Sequence, residues 1–186
     1  LMPMKFPSFR SRREPFSDTT MWTRCPSCEE QLFNAQLEKA MRVCPSCGHH
    51  FRLSAPVRLG QLLDENTFEE RDSGLISEDP LGFVDQKPYP DRVAAAQVAT
   101  GLRDAAVWGY GRIEGQRIAI LVMDFGFMGG SMGAVVGEKV ARAAEGALAE
   151  HVPPVIVSAS GGARMQGGTL ALMQRAKTMA ALERLR

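Results

Sequence analysis

Residues 155–166 read Val155-Ile-Val-Ser-Ala-Ser-Gly-Gly-Ala-Arg-Met-Gln166. Pro153 and Pro154 bar a helix from running into this stretch, and Val155–Val157 is a short β-branched run of the buried-strand kind. Only small residues follow, from Ser158 to Ala163, before a long apolar-periodic segment begins. A strand that feeds a Gly-Gly turn opening a helix leaves backbone N–H groups unpaired and pointing one way, which suits a negative oxygen. Gly161 and Gly162 carry no side chains that would keep a ligand from those amides. About thirty residues earlier, Phe125-Gly-Phe-Met-Gly-Gly-Ser-Met-Gly133 repeats the arrangement behind the apolar run Ile118–Met123. Either turn alone is an ordinary place for glycine. Two of them in one α/β unit, each between a buried strand and a helix, point to one shared site.

Around these turns the pattern is regular. Ala106–Ile113 and Arg117–Met123 flank Glu114-Gly115 as a two-residue hairpin. Gly133–Glu150 reads as a helix rich in small residues, and 169–185 as a helix with Leu172, Met173, Ala176, Met179, Ala180 and Leu182 at helical spacing. Its methionines are read as core filler. Upstream, Val57, Leu59, Leu62 and Leu63 predict a short helix from Pro56 that ends near Asn66. Residues 64–91 are acidic and proline-rich and read as a connector. Asp91 is expected to cap a helix over Arg92–Thr100 that stops at Gly101. The sequence stops just after a helix, which would leave a parallel sheet with an exposed apolar edge. The expectation is a fragment, or an edge covered by another chain.

The first twenty residues carry Pro, Ser and Arg without periodicity and read as a flexible, mildly basic arm. Next come Cys25-Pro-Ser-Cys28 and, fifteen residues on, Cys44-Pro-Ser-Cys47-Gly-His-His. Two C-x2-C pairs at this spacing can converge on one tetrahedral zinc, so Cys25, Cys28, Cys44 and Cys47 are the expected ligands. Gly48 permits the left-handed backbone that aims amides back at the thiolates; Glu29 stands at the equivalent place in the first knuckle. His49 and His50 are read as bystanders, because four thiolates complete the shell. The expected organisation is an arm over 1–20, a ribbon over 21–55, a connector with short helices over 56–104 and an α/β body over 105–186.

Hydrophobic residues make up 45% of the chain and charged residues 23%, with a formal net charge of +1. These are the proportions of a soluble globular protein and give no whole-chain signal for nucleic acid. No apolar run approaches the roughly 20 residues that span a bilayer, and no apolar core follows the N-terminal basic residues as a secretory signal requires. Paired cysteines without a leader point to metal in a reducing cytoplasm. Across the ribbon Glu29, Glu30 and Glu38 balance Lys39, Arg42 and Arg52, so no basic face stands out.

Elimination narrows the chemistry. His151 is the one histidine outside the ribbon, and no base is positioned by sequence near Ser131, Ser158 or Ser160, which weakens a serine-nucleophile reading. Neither G-x-G-x-x-G nor a Walker A pattern occurs. What remains is backbone-amide stabilisation of an oxyanion, as in thioester enolate chemistry.

The two cysteine knuckles, Phe127-Met-Gly-Gly-Ser-Met-Gly133, Ser158-Ala-Ser-Gly-Gly-Ala-Arg-Met-Gln166 and Leu172-Met-Gln-Arg-Ala-Lys177 together resemble the carboxyltransferase β subunit of bacterial and plastid acetyl-CoA carboxylase. The resemblance runs from Trp22 to the end and covers roughly the first two-thirds of that family's chain. It implies an α/β fold, a partial crotonase-like (ClpP/crotonase) ββα superhelix behind an N-terminal C4 zinc ribbon. It implies transfer of a carboxyl group from carboxybiotin to acetyl-CoA, giving malonyl-CoA for fatty acid synthesis. Biotin would arrive covalently on a biotin carboxyl carrier protein loaded by biotin carboxylase, and an α subunit would complete an α2β2 heterotetramer. Biotin itself would take the acetyl proton.

Carried onto this sequence, the resemblance makes Gly161 and Gly162 oxyanion donors. It makes Gly129, Gly130, Ser131, Gly133, Ser160, Ala163 and Arg164 the candidates for contact with the acyl-CoA. For Arg164, steadying the turn, meeting a phosphate or partner, and a surface ion pair all stay open. Gly167-Gly168 stands where the family commonly has an acidic residue. A second oxyanion donor would come from a later Gly-Gly turn beyond Arg186, so this polypeptide alone is expected to be inactive. The competing reading is a zinc-ribbon module that binds nucleic acid or protein, with the α/β part as scaffold.

Overall fold

In a computed structural model, residues 21–185 are described; the expected arm lies outside them. The described residues fall into two compact units that divide between Leu53 and Ser54.

In the first unit, β1 (Trp22–Arg24) and β2 (Gln31–Phe33) pair antiparallel, with Trp22 opposite Phe33 and their rings 5.3 Å apart. A single helical turn, α1 (Asn34–Lys39), follows. The buried side chains here are Cys25, Leu32, Leu37 and Cys44, with Phe51 packed against them. So few apolar groups cannot offset the entropy of ordering thirty residues, so the metal must supply much of the folding energy.

In the second unit, α2 (Ala55–Leu62), β3 (Glu69–Arg71) and α3 (Tyr89–Thr100) precede the central hairpin of β4 (Ala106–Ile113) and β5 (Gln116–Met123). Then come α4 (Ala134–Glu150), β6 (Pro154–Val157) and α5 (Gly168–Glu183). The sheet order is β3-β4-β5-β6, antiparallel except for the parallel pair β5–β6. The hairpin forms where it was expected: Glu114 (φ 49°) and Gly115 (φ 78°) both take left-handed backbone, the combination a type I′ turn requires. Alternation along β4 and β5 sends side chains to two cores. Trp108, Tyr110, Leu121 and Met123 pack with Val136, Val140 and Ala143 of α4 and with Val93 of α3. Val107, Ile118, Ile120 and Val122 pack with Ala55 and Leu59 of α2. Burying each of these larger side chains contributes about 1.5–3 kcal/mol.

Four details differ from the expectations. The helix begun near Pro56 ends at Leu62, because Leu63 turns extended and places Asp64 to accept hydrogen bonds from the hairpin amides of Glu114 (3.0 Å) and Gly115 (2.8 Å). The acidic connector contains a strand, β3, which pairs with β4. Helix α3 starts at Tyr89, two residues before Asp91, because Pro90 in the first turn lacks only an N–H that would have no helical partner. Finally, α5 buries Ala171, Thr178 and Ala181 and leaves Leu172, Met173 and Met179 exposed, so its methionines are not core filler within this chain. Strand β6 lies at the sheet edge, with Ile156 partly exposed.

Candidate functional site: two joined glycine turns

The parallel pairing of β5 and β6 does not stop with the strands. It resumes beyond them as a bridge between Met132 and Ala163. Met132 N–H donates to the Gly162 carbonyl (2.8 Å), and Arg164 N–H donates to the Met132 carbonyl (2.9 Å). Gly161 N–H donates to the Gly129 carbonyl (2.9 Å). The two turns thus meet at the carboxyl ends of adjacent parallel strands, where open α/β sheets place their ligands.

Their glycines have separate reasons. Gly130, at φ +64°, faces the carbonyl of Ala159, which a Cβ would meet at 1.9 Å. A Cβ on Gly133 would meet the Arg164 guanidinium at 3.1 Å. Both therefore have a reason in neighbouring protein atoms. Gly129 and Gly162 have open space on their side-chain sides.

The expected oxyanion donors divide. Gly161 N–H is engaged by Gly129, so its amide joins the turns and is not available to a ligand as the chain stands. Gly162 N–H is held only by the exposed hydroxyl of Ser160, at 3.1 Å, a contact that rotation of the hydroxyl would release. Ala163 N–H takes no acceptor among the described residues. Ala163 and Ser131 line a cleft of about 900 Å³ together with Met128, Met165 and the small side chains Ala95 and Ala99 of α3.

Arg164 does not point at this cleft. Its side chain is fully buried and paired with Asp104, with the aromatic ring of Phe127 5.6 Å from the guanidinium carbon. Burial works against its charge, and the Asp104 carboxylate outweighs that, so its pKa stands above the ordinary arginine value. The surface-pair, phosphate and partner readings of Arg164 all need an exposed guanidinium, which this burial does not offer; its contacts within the chain suit the reading in which it steadies the turn.

Sequence reasoning passed over Asp104, Asp124 and Lys139. Asp104 and Asp124 stand just outside the hairpin's open end, and Asp124 accepts from Ala55 N–H at the start of α2 (2.7 Å) and from Gly126 N–H (2.7 Å). Lys139 interrupts the apolar stripe of α4, a visible signal, and donates to the Ala106 carbonyl (2.8 Å). Desolvation lowers its pKa, opposed by nearby Glu70, whose own pKa desolvation raises.

In the ribbon unit, the four cysteine sulfurs lie within 4.8 Å of one another, with Cys25–Cys47 and Cys28–Cys44 each 3.7 Å apart. A tetrahedron with metal–sulfur bonds of about 2.3 Å has edges of about 3.8 Å, so the quartet fits zinc. Desolvation acts to raise the Cys25 thiol pKa, but the Cys28 and Ser27 amides and the neighbouring thiols bring it down to about 7. For Cys28 the Glu30 amide acts to lower the value, and the thiols of Cys47, Cys25 and Cys44 together with desolvation push it up to about 12. A cluster that resists further negative charge in this way is one that a dication would neutralise. Gly48 takes left-handed backbone (φ 73°) as expected, and Glu29 does the same (φ 63°) despite its side chain. His49 stacks edge-on against Phe51 and stays out of the quartet.

Residues 65–185 match the family described as the carboxyl transferase domain, and residues 22–47 match the acetyl-CoA carboxylase zinc finger domain. A protein of Synechococcus sp. (strain JA-2-3B'a(2-13)) named acetyl-coenzyme A carboxylase carboxyl transferase subunit beta is 54% identical over 166 residues, 89% of this chain and 53% of that protein. A protein of the same name from Citrifermentans bemidjiense is 53% identical, with 89% and 59% covered. The chain therefore spans between half and three-fifths of the length of these relatives. Among solved structures, the transcarboxylase 12S hexamer with methylmalonyl-coenzyme A and methylmalonic acid bound matches at TM-score 0.57 and 29% identity, over 70% of this chain and 23% of that one. A Pseudomonas malonate decarboxylase hetero-tetramer in complex with malonate matches at TM-score 0.54 and 30% identity, over 71% and 47%. The fold is crotonase-like, behind a four-cysteine zinc ribbon, and on these matches the chain belongs to the carboxyl transferase domain family.

Proposed function

We propose that this chain is part of the β-type carboxyltransferase subunit of a biotin-dependent acetyl-CoA carboxylase. In that reading a carboxyl group moves from carboxybiotin, borne on a carrier protein, to acetyl-CoA, and malonyl-CoA for fatty acid synthesis results. An α subunit completes an α2β2 assembly that works with biotin carboxylase in the cytoplasm. No helix among the described residues is long and apolar enough to cross a membrane.

The observation that carries the proposal is the junction of the two glycine turns beside the cleft, with Ala163 in the cleft wall and Gly162 next to it in the chain. When bound, carboxybiotin supplies the carboxyl group. The chain's own part is to receive the thioester oxygen as it gains charge, through donors already fixed in place. The Gly162 N–H becomes available when the Ser160 hydroxyl swings aside, and the Ala163 N–H needs no rearrangement. This moves the donor role expected of Gly161 one residue along the turn. Met128, Met165 and the alanines of α3 would line the acyl end. No side chain at the turns is placed as a general base, which fits a proton acceptor brought by the second substrate.

The test is the full-length protein assembled with its α-type partner and given acetyl-CoA and carboxybiotin. Malonyl-CoA formation is expected, and Gly162→Val should abolish it with zinc content unchanged. No turnover by the wild-type assembly, together with salt-sensitive binding of nucleic acid by the chain, would reject the proposal in favour of the binding-module reading.

A further inference from the structure

We infer that Asp104 and Arg164 are positioning residues for carboxyl transfer, a buried carboxylate–guanidinium pair that locks the two glycine turns in the register that presents the Gly162 and Ala163 amides to the cleft. The inference rests on the function proposed above.

Five separate segments meet on one guanidinium. Arg164 comes from the second turn. Its Nε donates to Ser131 Oγ (3.1 Å) and its Nη2 to the Ser131 carbonyl (2.9 Å), both in the first turn. Nη2 also donates to Asp104 Oδ1 (2.8 Å) and Nη1 to Asp104 Oδ2 (3.2 Å), the forked geometry that only arginine offers a carboxylate. Nη1 further reaches Ser77 Oγ (2.8 Å) from the stretch between β3 and α3, and Tyr89 Oη (3.0 Å) from α3. Asp104 is saturated in turn: Ser77 Oγ donates to Oδ2 (2.5 Å), and Ala105 N–H donates to Oδ1 (2.8 Å). Both charged side chains are 0% exposed.

Such a pair is a poor way to gain stability. Desolvating two ions costs about as much as their attraction returns, and apolar residues of the same volume often do better. What a fully satisfied buried network does confer is a unique arrangement. Arg164 and Ser131 lie in the very turns whose relative placement sets the amides, and Ser131 also lines the cleft. Gly133 leaves the space that the guanidinium occupies. Asp104, anchored at the start of β4, ties the network to the rigid sheet.

The test uses the full-length protein in its assembled enzyme, with Asp104→Asn and Arg164→Lys. Each is expected to lower kcat about 10- to 100-fold while KM for acetyl-CoA moves less than about threefold, the split of an effect exerted in the transition state. Amide hydrogen exchange should quicken in 127–133 and 159–166 together, with β4 and β5 still protected. The double variant should be no worse than the worse single one, because both act through one contact. Should the single variants fail to fold, Tyr89→Phe removes one hydroxyl and keeps the ring; about a twofold to fivefold fall in kcat with the same exchange signature is expected. Unchanged kcat, multiplying losses in the double variant, or exchange quickened in the mutated turn alone or throughout the sheet would overturn the inference. If the wild-type assembly makes no malonyl-CoA, the functional reading fails by itself. Exchange then decides the coupling: quickening in both turns supports it, and quickening in one turn refutes it.

Discussion

Gly130 and Ala159 approach so closely that a Cβ on Gly130 would lie 1.9 Å from the Ala159 carbonyl oxygen. That contact fixes the distance between the first glycine turn and the chain that leaves β6. Gly130→Ala combines left-handed strain with a collision against backbone that cannot swing away. A loss of about 3 kcal/mol or more is expected. Gly129→Ala suffers the strain alone, at φ +68° with nothing near its Cβ, and should lose about 1–2 kcal/mol. Denaturant midpoints of the two variants check the difference, and equal losses would show that the turns can separate.

Glu29 holds left-handed backbone in the first zinc knuckle, and its ion pair with Arg24 joins side chains 72% and 65% exposed. An exposed pair of this kind contributes little. Glu29→Gly is therefore expected to stabilise the zinc-bound ribbon by about 1 kcal/mol. Competition with a chelator reads this directly, through slower zinc loss from the variant.

Zinc removal should act on the ribbon unit. The chain's two tryptophans report separately: Trp22 in β1, and Trp108 buried in the sheet. A chelator is expected to change Trp22 emission and leave the Trp108 signal and the sheet's cooperative melting in place, because that core is built from its own apolar side chains. Emission can be assigned with Trp22→Phe. Collapse of both signals together would contradict separate cores.

Glu138 in α4 lies between Lys177 of α5 and Arg142, and these two, Lys177 more than Arg142, hold its carboxyl below the usual 4.5 against the opposing effect of burial. A native pKa below the unfolded one means that the folded state binds this proton less readily. The stability it contributes is present above the usual carboxylate value and is lost as pH falls through the lowered one. Glu138→Gln should lower stability at pH 7 by less than about 1 kcal/mol, since the partners are partly solvated, and the gap should close in acid as pH falls through that lowered value. A gap that persisted in acid would assign the effect to packing instead.

What could be read from the sequence was what depends on neighbours in the chain. The hairpin around Glu114-Gly115, the zinc spacing, the left-handed Gly48 and the strand before each glycine turn all follow from local pattern. Strand β3 escaped because Glu69-Glu70-Arg71 has no apolar alternation; it is held by pairing with β4 rather than by propensity. The end of α2 was set by Asp64 reaching a hairpin fifty residues away. The inward turn of Arg164 depended on Asp104, sixty residues distant, and nothing in either local stretch announces the other. The exposed face of α5 could not be foreseen for a related reason: its spacing marks an apolar stripe but says nothing about which other element, if any, covers it.

The Met132–Ala163 bridge and the Gly161–Gly129 hydrogen bond also bear on redesign. Because main chain stitches one bend to the other, neither can be lengthened, shortened or transplanted by itself without breaking the seam. Anyone reshaping the cleft beside them would need to exchange residues 127–133 and 159–164 as a single cassette. Variation introduced into one bend alone should select for compensating change across the seam rather than beside it in the chain.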